Sequence, residues 1–380
     1  MASPSYAMLP QTKASLDYII EHHRLFLKDR QTRGLEHKAM VVGVSGCQGS
    51  GKTTLCDTLV HLLRQAPYDL NVVSFSLDDL YLTREAQVKL AARYPDNRLL
   101  QYRGQPGSHD LELAETVFDN LLKGDSKKTV YVPAYDKSLH GGLGDRLPEE
   151  EWQQVQGRVD IILFEGWSLG FKSVTLAQLQ HMYEQSNLLQ QHGLHDLAIL
   201  NDFLVKYEEK LYPKMDIFLH LAPIELEQVY QWRLQQEHHM QQTRNVKGLS
   251  DEAVRTFVDT YMPAYTLYLS RLNKVGFFGV NGERQRSYEG WYRKDGGYSD
   301  NTLARHLRLV LDHDRRMVQC QDIHPVRPLN NNGNHSGNWI IRKSSLILTT
   351  CAVGYIGWVV YQRRQPLLQG LMKIVHQFTE

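Results

Sequence analysis

The chain has little of what marks a secreted, zinc-bound or nucleic-acid-binding protein. Cysteine is scarce: Cys47, Cys56, Cys320 and Cys351 are the four in 380 residues, and none stands in CxxC or CxxH spacing. Neither a disulfide framework nor a structural zinc site is expected, and a reducing compartment fits. Excess charge is absent too, with Lys+Arg 43 against Asp+Glu 42. A net charge of +1 creates no field that would gather nucleic acid, so no such partner is expected and any anion must be met locally. No charged start followed by an apolar run opens the sequence, which argues against a secretory signal. The 17 histidines include no HExxH spacing, and adjacent His238 and His239 face apart on a helix. No internal repeat is found.

What is there is an ordinary globular composition, 42% hydrophobic and 22% charged. Leu16, Ile19, Ile20, His23, Phe26 and Leu27 recur at helical spacing, which predicts an amphipathic helix within residues 1–30, followed by a polar linker over 30–38. Short apolar runs predict parallel strands covered on both faces: MVVGVS from Met40, DLNVVSFSL (69–77), KTVYVP (128–133), VDIILFEG (159–166) and MDIFLHL (215–221). Helical patterns lie between them at 51–65, 83–93, 110–122, 174–190, 196–210, 224–240 and 251–273. LRLVLD (307–312) and RRMVQC (315–320) predict a closing hairpin or edge strand. Strands alternating with helices predict an α/β fold, a doubly wound and mainly parallel sheet with helices on both faces.

Between the first strand and the next helix stands GCQGSGKT, which fits G-x-x-x-x-G-K-[ST]. Gly46, Gln48, Gly49, Ser50 and Gly51 form a loop whose backbone N–H groups converge on phosphate oxygens at a helix N-terminus, as in P-loop nucleotide-binding proteins. Lys52 is expected to reach the β- and γ-phosphates and Thr53 to ligate Mg²⁺ through its hydroxyl, with Thr54 completing the nucleotide site. ATP and Mg²⁺ are the implied cofactors. Glu165, ending VDIILFEG, is placed to hold the metal's water shell. Asp78 and Asp79 in SLDDLYLT emerge at the carboxyl edge of the sheet. One suits proton abstraction from an attacking hydroxyl, the other a metal contact or a helix cap.

RGQPGSHD (103–110) and PAYDKSLHGGLGDR (133–146) are polar, glycine-rich and long for plain connections, as substrate or lid loops are. Arg103, Lys137 and Arg146 suit a carboxylate or phosphate, while His109, Asp110, Tyr135 and Asp136 suit hydroxyl groups. The helix within 223–254 runs into a basic loop. Arg233, with Arg244 and Lys247 behind it, is expected to close over a triphosphate as the lid cation. Cys47 reads as a small loop residue rather than a redox-sensitive thiol.

The words GVSGCQGSGKTT, SLDDLYLT, RGQPGSHD, PAYDKSLHGGLGDR, ILFEGW with SLGF, and WRLQQE followed by SDEAVRTFVDTYMPAY occur in that order from about residue 40 to 272. Together they resemble the D-glycerate 3-kinases of plants and fungi, within the P-loop group that includes phosphoribulokinase, uridine kinase and pantothenate kinase. The resemblance implies Mg²⁺-dependent transfer of the ATP γ-phosphoryl group to the primary hydroxyl of D-glycerate. It makes Asp78, in the word DDLY, the general base, sets Asp79 and Tyr81 beside the acceptor, and makes Arg233 the lid arginine. Arg103 and Arg146, then Lys137, become the candidates for glycerate's carboxylate. Residues 274–304 depart from the pattern as an expansion, and the tail beyond 321 is additional. The rival readings are a P-loop kinase for a nucleoside, pantothenate or sugar phosphate and, from a different class, a membrane-associated nucleotide-dependent switch or scaffold.

Composition divides the chain into an N-terminal helix and linker (1–38), a P-loop kinase domain (39–320), an Asn-, Pro- and Gly-rich linker (321–343), an uncharged run (344–361) and a basic tail (362–380). The run Ser344–Tyr361, flanked by Arg342, Lys343, Arg363 and Arg364, is a candidate membrane anchor diluted by two Ser, two Thr and two Gly. The expected location is cytoplasmic, a tail anchor leaving the kinase domain on an organelle surface facing the cytosol.

Overall fold

The computed structural model describes residues 8–124, 128–244, 248–279, 298 and 304–324. Lys247, most of the 274–304 expansion and the uncharged run Ser344–Tyr361 lie outside the described residues. Among the described residues no helix is long and apolar enough to cross a membrane.

In chain order the strands are β1 (Met40–Gly46), β2 (Val72–Ser76), β3 (Val130–Val132), β4 (Tyr135–Asp136), β5 (Asp145–Arg146), β6 (Gln153–Val155), β7 (Ile161–Gly166), β8 (Ile217–Pro223), β9 (His306–Leu311) and β10 (Met317–Ile323). The main sheet runs β10-β9-β8-β1-β7-β2, parallel throughout except for the β9–β10 hairpin at its edge. The helices are α1 (Pro10–Thr32), α2 (Lys52–Leu63), α3 (Arg84–Arg93), α4 (Leu111–Lys123), α5 (Leu176–Glu184), α6 (Leu194–Lys210), α7 (Gln228–Arg244) and α8 (Asp251–Asp259), followed by a helical stretch over 262–275.

Successive side chains of a strand point to opposite faces, so continuous apolar runs fill two cores. Val42 and Val44 of β1, Leu163 of β7 and Leu219 of β8 meet Leu16, Ile19 and Phe26 of α1 and Leu55 and Leu59 of α2. Val41, Phe75, Phe164 and Phe218 lie in the other core, with Phe118 of α4, Leu200 and Leu204 of α6, and Tyr265, Tyr268 and Leu272. Each fully buried Leu or Phe contributes about 1.5–3 kcal/mol relative to exposure. The result is the doubly wound, mainly parallel sheet of P-loop type with helices on both faces.

Three expectations fail locally. KTVYVP is no central strand, because β3 pairs antiparallel with β6 in a separate two-stranded sheet. Its Tyr131 is 39% exposed while Val132 is buried, the alternation of a one-sided strand. The helix predicted over 174–190 ends at Glu184, after which Ser186 Oγ accepts the Leu189 N–H at 3.3 Å and a separate turn begins. The helix predicted over 251–273 breaks after Asp259, since Pro263 has no N–H to continue it and restarts the chain as a new first turn.

Candidate active site

Gly46 to Gly51 carry the chain from β1 into α2. Gly49 and Gly51 hold φ of 75° and 90°, the left-handed region that suits glycine. A Cβ at Gly49 would meet the Trp232 backbone carbon at 2.8 Å, whereas one at Gly51 would meet nothing within 4 Å. Helices α3, α4, α5 and α8 begin with side-chain caps from Thr83, Asp110, Thr175 and Ser250, but α2 begins at Gly51 without one. The first-turn N–H groups of α2 therefore lack a side-chain acceptor, and with the positive end of the helix dipole they fit an anion. The loop itself is held from behind. Tyr265 accepts the Gln48 N–H at 3.2 Å and donates to Gln48 Oε1 at 2.7 Å, and Arg315 Nε donates to the Gly49 carbonyl at 2.5 Å. Lys52 Nζ donates to the Cys47 carbonyl at 3.2 Å. Burial pushes the Cys47 thiol up to about 12, as suits a packed loop residue.

Strand register brings the acids to the same edge. Val44 of β1 and Ser76 of β2 both pair with Glu165 of β7, so the phosphate loop, the glutamate and the SLDD turn leave the sheet side by side. Thr53 Oγ1 donates to Glu165 Oε1 at 3.0 Å. A hydroxyl and a carboxylate in contact are hard oxygen donors of the kind Mg²⁺ takes together with waters and phosphate oxygens, so the residues fit the expected metal. Asp78 Oδ2 pairs with Lys137 Nζ at 2.5 Å, and Asp78 Oδ1 accepts the Tyr81 hydroxyl at 3.0 Å. Burial pushes the Asp78 carboxyl up, but the Lys137 ammonium and these hydrogen bonds outweigh it and hold the group below the usual carboxylate range. Lys137 is in turn raised, chiefly by Asp78 and more weakly by Glu165, so both carboxylates act on one ammonium.

The other residues expected at the acceptor divide. Tyr81, 2% exposed, stacks on His109 with ring centres 4.5 Å apart, and Tyr135 meets Tyr81 edge-on at 5.3 Å. Arg103 clamps the second glycine-rich loop, donating to the carbonyls of Gly142 and Leu143 and lying 5.6 Å over the Tyr135 ring. In four others polar atoms have partners within the protein. Asp79 Oδ2 accepts the Ser76 N–H at 2.8 Å in a capping box, and burial pushes its carboxyl up to about 6. Asp110 caps α4 through the Leu113 N–H at 3.0 Å, and Asp136 accepts the Ser138 N–H and hydroxyl at 2.8 and 2.6 Å. Arg146 donates to the Tyr81 carbonyl at 2.8 Å and to Asp110 Oδ2 at 3.0 Å, tying the two loops together. The aspartates follow the general preference of a short carboxylate for free N–H groups at turn and helix starts.

Arg233, on α7, is held by two neighbours. Its Nη2 pairs with Glu237 Oε2 at 2.7 Å one turn along α7, and its guanidinium lies 5.3 Å over Phe257. Of Arg244 only the backbone, the last residue of α7, is described. Sequence reasoning missed Tyr207, Tyr261, Tyr265 and Arg315. Tyr261 and Tyr265 stand edge-on to Trp167 at 4.8 and 5.4 Å, and the stretch TYMPAY within the last resemblance word was their one signal. Arg315 gave none, because Gly49, Trp232 and Gln235, its partners, lie 80 to 266 positions away.

Residues 41–274, well over half of the chain, match the Phosphoribulokinase / Uridine kinase family. The chain belongs to the phosphoribulokinase/uridine kinase family. This family member is 39% identical to "Uncharacterized kinase mug58" of Schizosaccharomyces pombe over 265 residues, covering 69% of this chain and 92% of that protein. It is 37% identical to the chloroplastic D-glycerate 3-kinase of Arabidopsis thaliana over 246 residues, 64% of this chain and 51% of the plant protein, about half of its length. Its fold resembles the solved D-glycerate 3-kinase from Cryptococcus neoformans with a TM-score of 0.69 and 32% identity, covering 82% of this chain and 99% of that one. The phosphoribulokinase/uridine kinase member described here is an ATP-dependent phosphotransferase acting on a hydroxyl group.

Proposed function

We propose that the protein transfers the γ-phosphoryl group of ATP to the primary hydroxyl of D-glycerate, giving 3-phosphoglycerate. The observation that carries this reading is the place of Asp78, two residues beyond the β2 position paired with Glu165, ionised by the ammonium of Lys137 and on the same sheet edge as the phosphate loop. Relatives named D-glycerate 3-kinase support the choice of acceptor.

Phosphoryl transfer needs positioning and charge neutralisation more than covalent chemistry from the protein. The loop amides and the α2 N-terminus bind the polyphosphate, and Lys52 neutralises its outer oxygens. Thr53 and Glu165 would hold Mg²⁺, which when bound supplies positive charge to the transferring group. Asp78 orients the acceptor hydroxyl and takes its proton, an effect worth roughly 10²–10⁴-fold. Lys137, once it yields Asp78 Oδ2 to that hydroxyl, is free for glycerate's carboxylate. The Glu237-anchored Arg233 offers a fixed cation from α7 rather than a swinging one.

The test is ADP release by the full-length chain with Mg²⁺-ATP and D-glycerate, L-glycerate, uridine, pantothenate or ribulose 5-phosphate. Preference for D-glycerate with 3-phosphoglycerate as product is expected. Preference for another acceptor overturns the assignment, and no turnover with any of them points to a nucleotide-dependent switch. Membrane attachment through Ser344–Tyr361 is a separate proposal that rests on the uncharged run in the sequence. Retention of the full-length chain in alkaline-extracted membranes supports it, and release into the extract contradicts it.

A further inference from the structure

We propose that His109 recognises an oxygen of the acceptor substrate through Nε2–H, in a tautomer imposed by Tyr207; this rests on the kinase reading above. His109 is 5% exposed and Tyr207 2% exposed. The Gly107 N–H donates to the Tyr207 hydroxyl oxygen at 3.0 Å, and His109 Nδ1 lies 2.7 Å from the same oxygen. A backbone N–H can only donate, so the phenol oxygen accepts from Gly107 and its single hydrogen points to Nδ1. The reverse assignment would leave a buried phenol hydrogen with no acceptor among the described residues. With Nδ1 accepting, a neutral imidazole carries its proton on Nε2. Burial keeps the ring neutral, its pKa falling to about 4.

Among the described residues Nε2 has no protein partner. Native proteins rarely leave a buried donor unmet, and a ligand oxygen is the acceptor that a binding site supplies. The position agrees. The imidazole stacks on Tyr81 at 4.5 Å, the Tyr81 hydroxyl donates to Asp78, and the charges of Asp78 and Lys137 both act on His109. The general base and the Nε2–H donor are therefore one aromatic ring apart. A short, oxygen-rich acceptor with its reacting hydroxyl on Asp78 would present a second oxygen, from a carboxylate or a hydroxyl, to Nε2. Tyr207 is then a positioning residue, acting through the tautomer rather than by touching substrate.

The experiment uses full-length protein and whichever acceptor the wild type turns over best, so that a wrong acceptor and a wrong role for His109 are told apart. His109→Phe keeps a ring on Tyr81 but has no donor. Its kcat/KM for the acceptor should fall about ten- to a hundredfold, mainly through the acceptor's KM, while the KM for ATP stays within about twofold. His109→Gln, whose amide retains an N–H, should recover part of the loss. In ¹⁵N-labelled protein the two-bond histidine correlations should report an Nε2–H tautomer for His109 that is lost in Tyr207→Phe, a reading independent of turnover and available if His109→Phe does not fold. An Nδ1–H pattern in the wild type, an unchanged acceptor KM in His109→Phe, or equal shifts in both KM values would overturn the proposal.

Discussion

Two glycines of the phosphate loop separate strain from collision. An alanine at Gly49 or at Gly51 must adopt left-handed φ, which costs about 1–2 kcal/mol in either case. At Gly49 the new methyl also meets Trp232 backbone atoms at 2.8 and 2.9 Å, and that backbone cannot rotate aside because Arg315 Nη2 donates to the Trp232 carbonyl at 3.1 Å. Overpacking of this kind adds about 1–3 kcal/mol. Gly49→Ala should therefore lose about 2–5 kcal/mol in total against about 1–2 for Gly51→Ala. At roughly 2–4 °C per kcal/mol for a domain of this size, the two should melt several degrees apart, Gly49→Ala lower. Thermal unfolding by circular dichroism, without nucleotide, measures the difference. Equal melting temperatures, or a lower one for Gly51→Ala, would refute the claim that α7 packs directly on the loop.

Arg315→Ala removes the donor to the Gly49 carbonyl and the link to Trp232 and Gln235, so the KM for ATP should rise about tenfold with little change in the KM for acceptor. Unchanged KM for ATP would show that the hairpin does not steady the loop. Lys137→Met leaves burial as the dominant influence on Asp78, so its carboxyl should rise and the acid limb of the kcat/KM profile should move to higher pH. A limb that stays in place would dissociate it from Asp78. Asp79, pushed up from 3.8 to about 6 in the folded state, contributes no penalty at pH below about 4 and a full one above about 6. Wild-type stability should therefore drop, relative to Asp79→Asn, as pH rises through that window; parallel melting curves across it would contradict the shift.

The sheet was legible because its evidence is local. MVVGVS, VDIILFEG and MDIFLHL each hold a continuous apolar stretch of three to five residues without alternation, as strands covered on both faces do, and the glycine spacing of 46–53 names its own turn. Short runs misled where one face is polar, as with KTVYVP, since an apolar tetrad does not reveal whether both of its sides will be covered. Residue type located the candidate site but not the role of each group. Asp79, Asp110 and Asp136 look alike in the sequence to Asp78, and what separates them is whether a neighbouring N–H lies close enough to occupy the carboxylate. Tyr207 and Arg315 were illegible for a different reason. Their partners are 80 or more positions away, and nothing in the surrounding residues encodes those contacts.

The central claim is that Asp78 takes the acceptor's proton beside a polyphosphate gripped by the α2 start. Single-turnover kinetics of Asp78→Asn, measured with ATP affinity on the same preparation, address it directly. The predicted result is a rate lower by about 10²–10⁴-fold with ATP binding intact. A rate within a few-fold of wild type would contradict it.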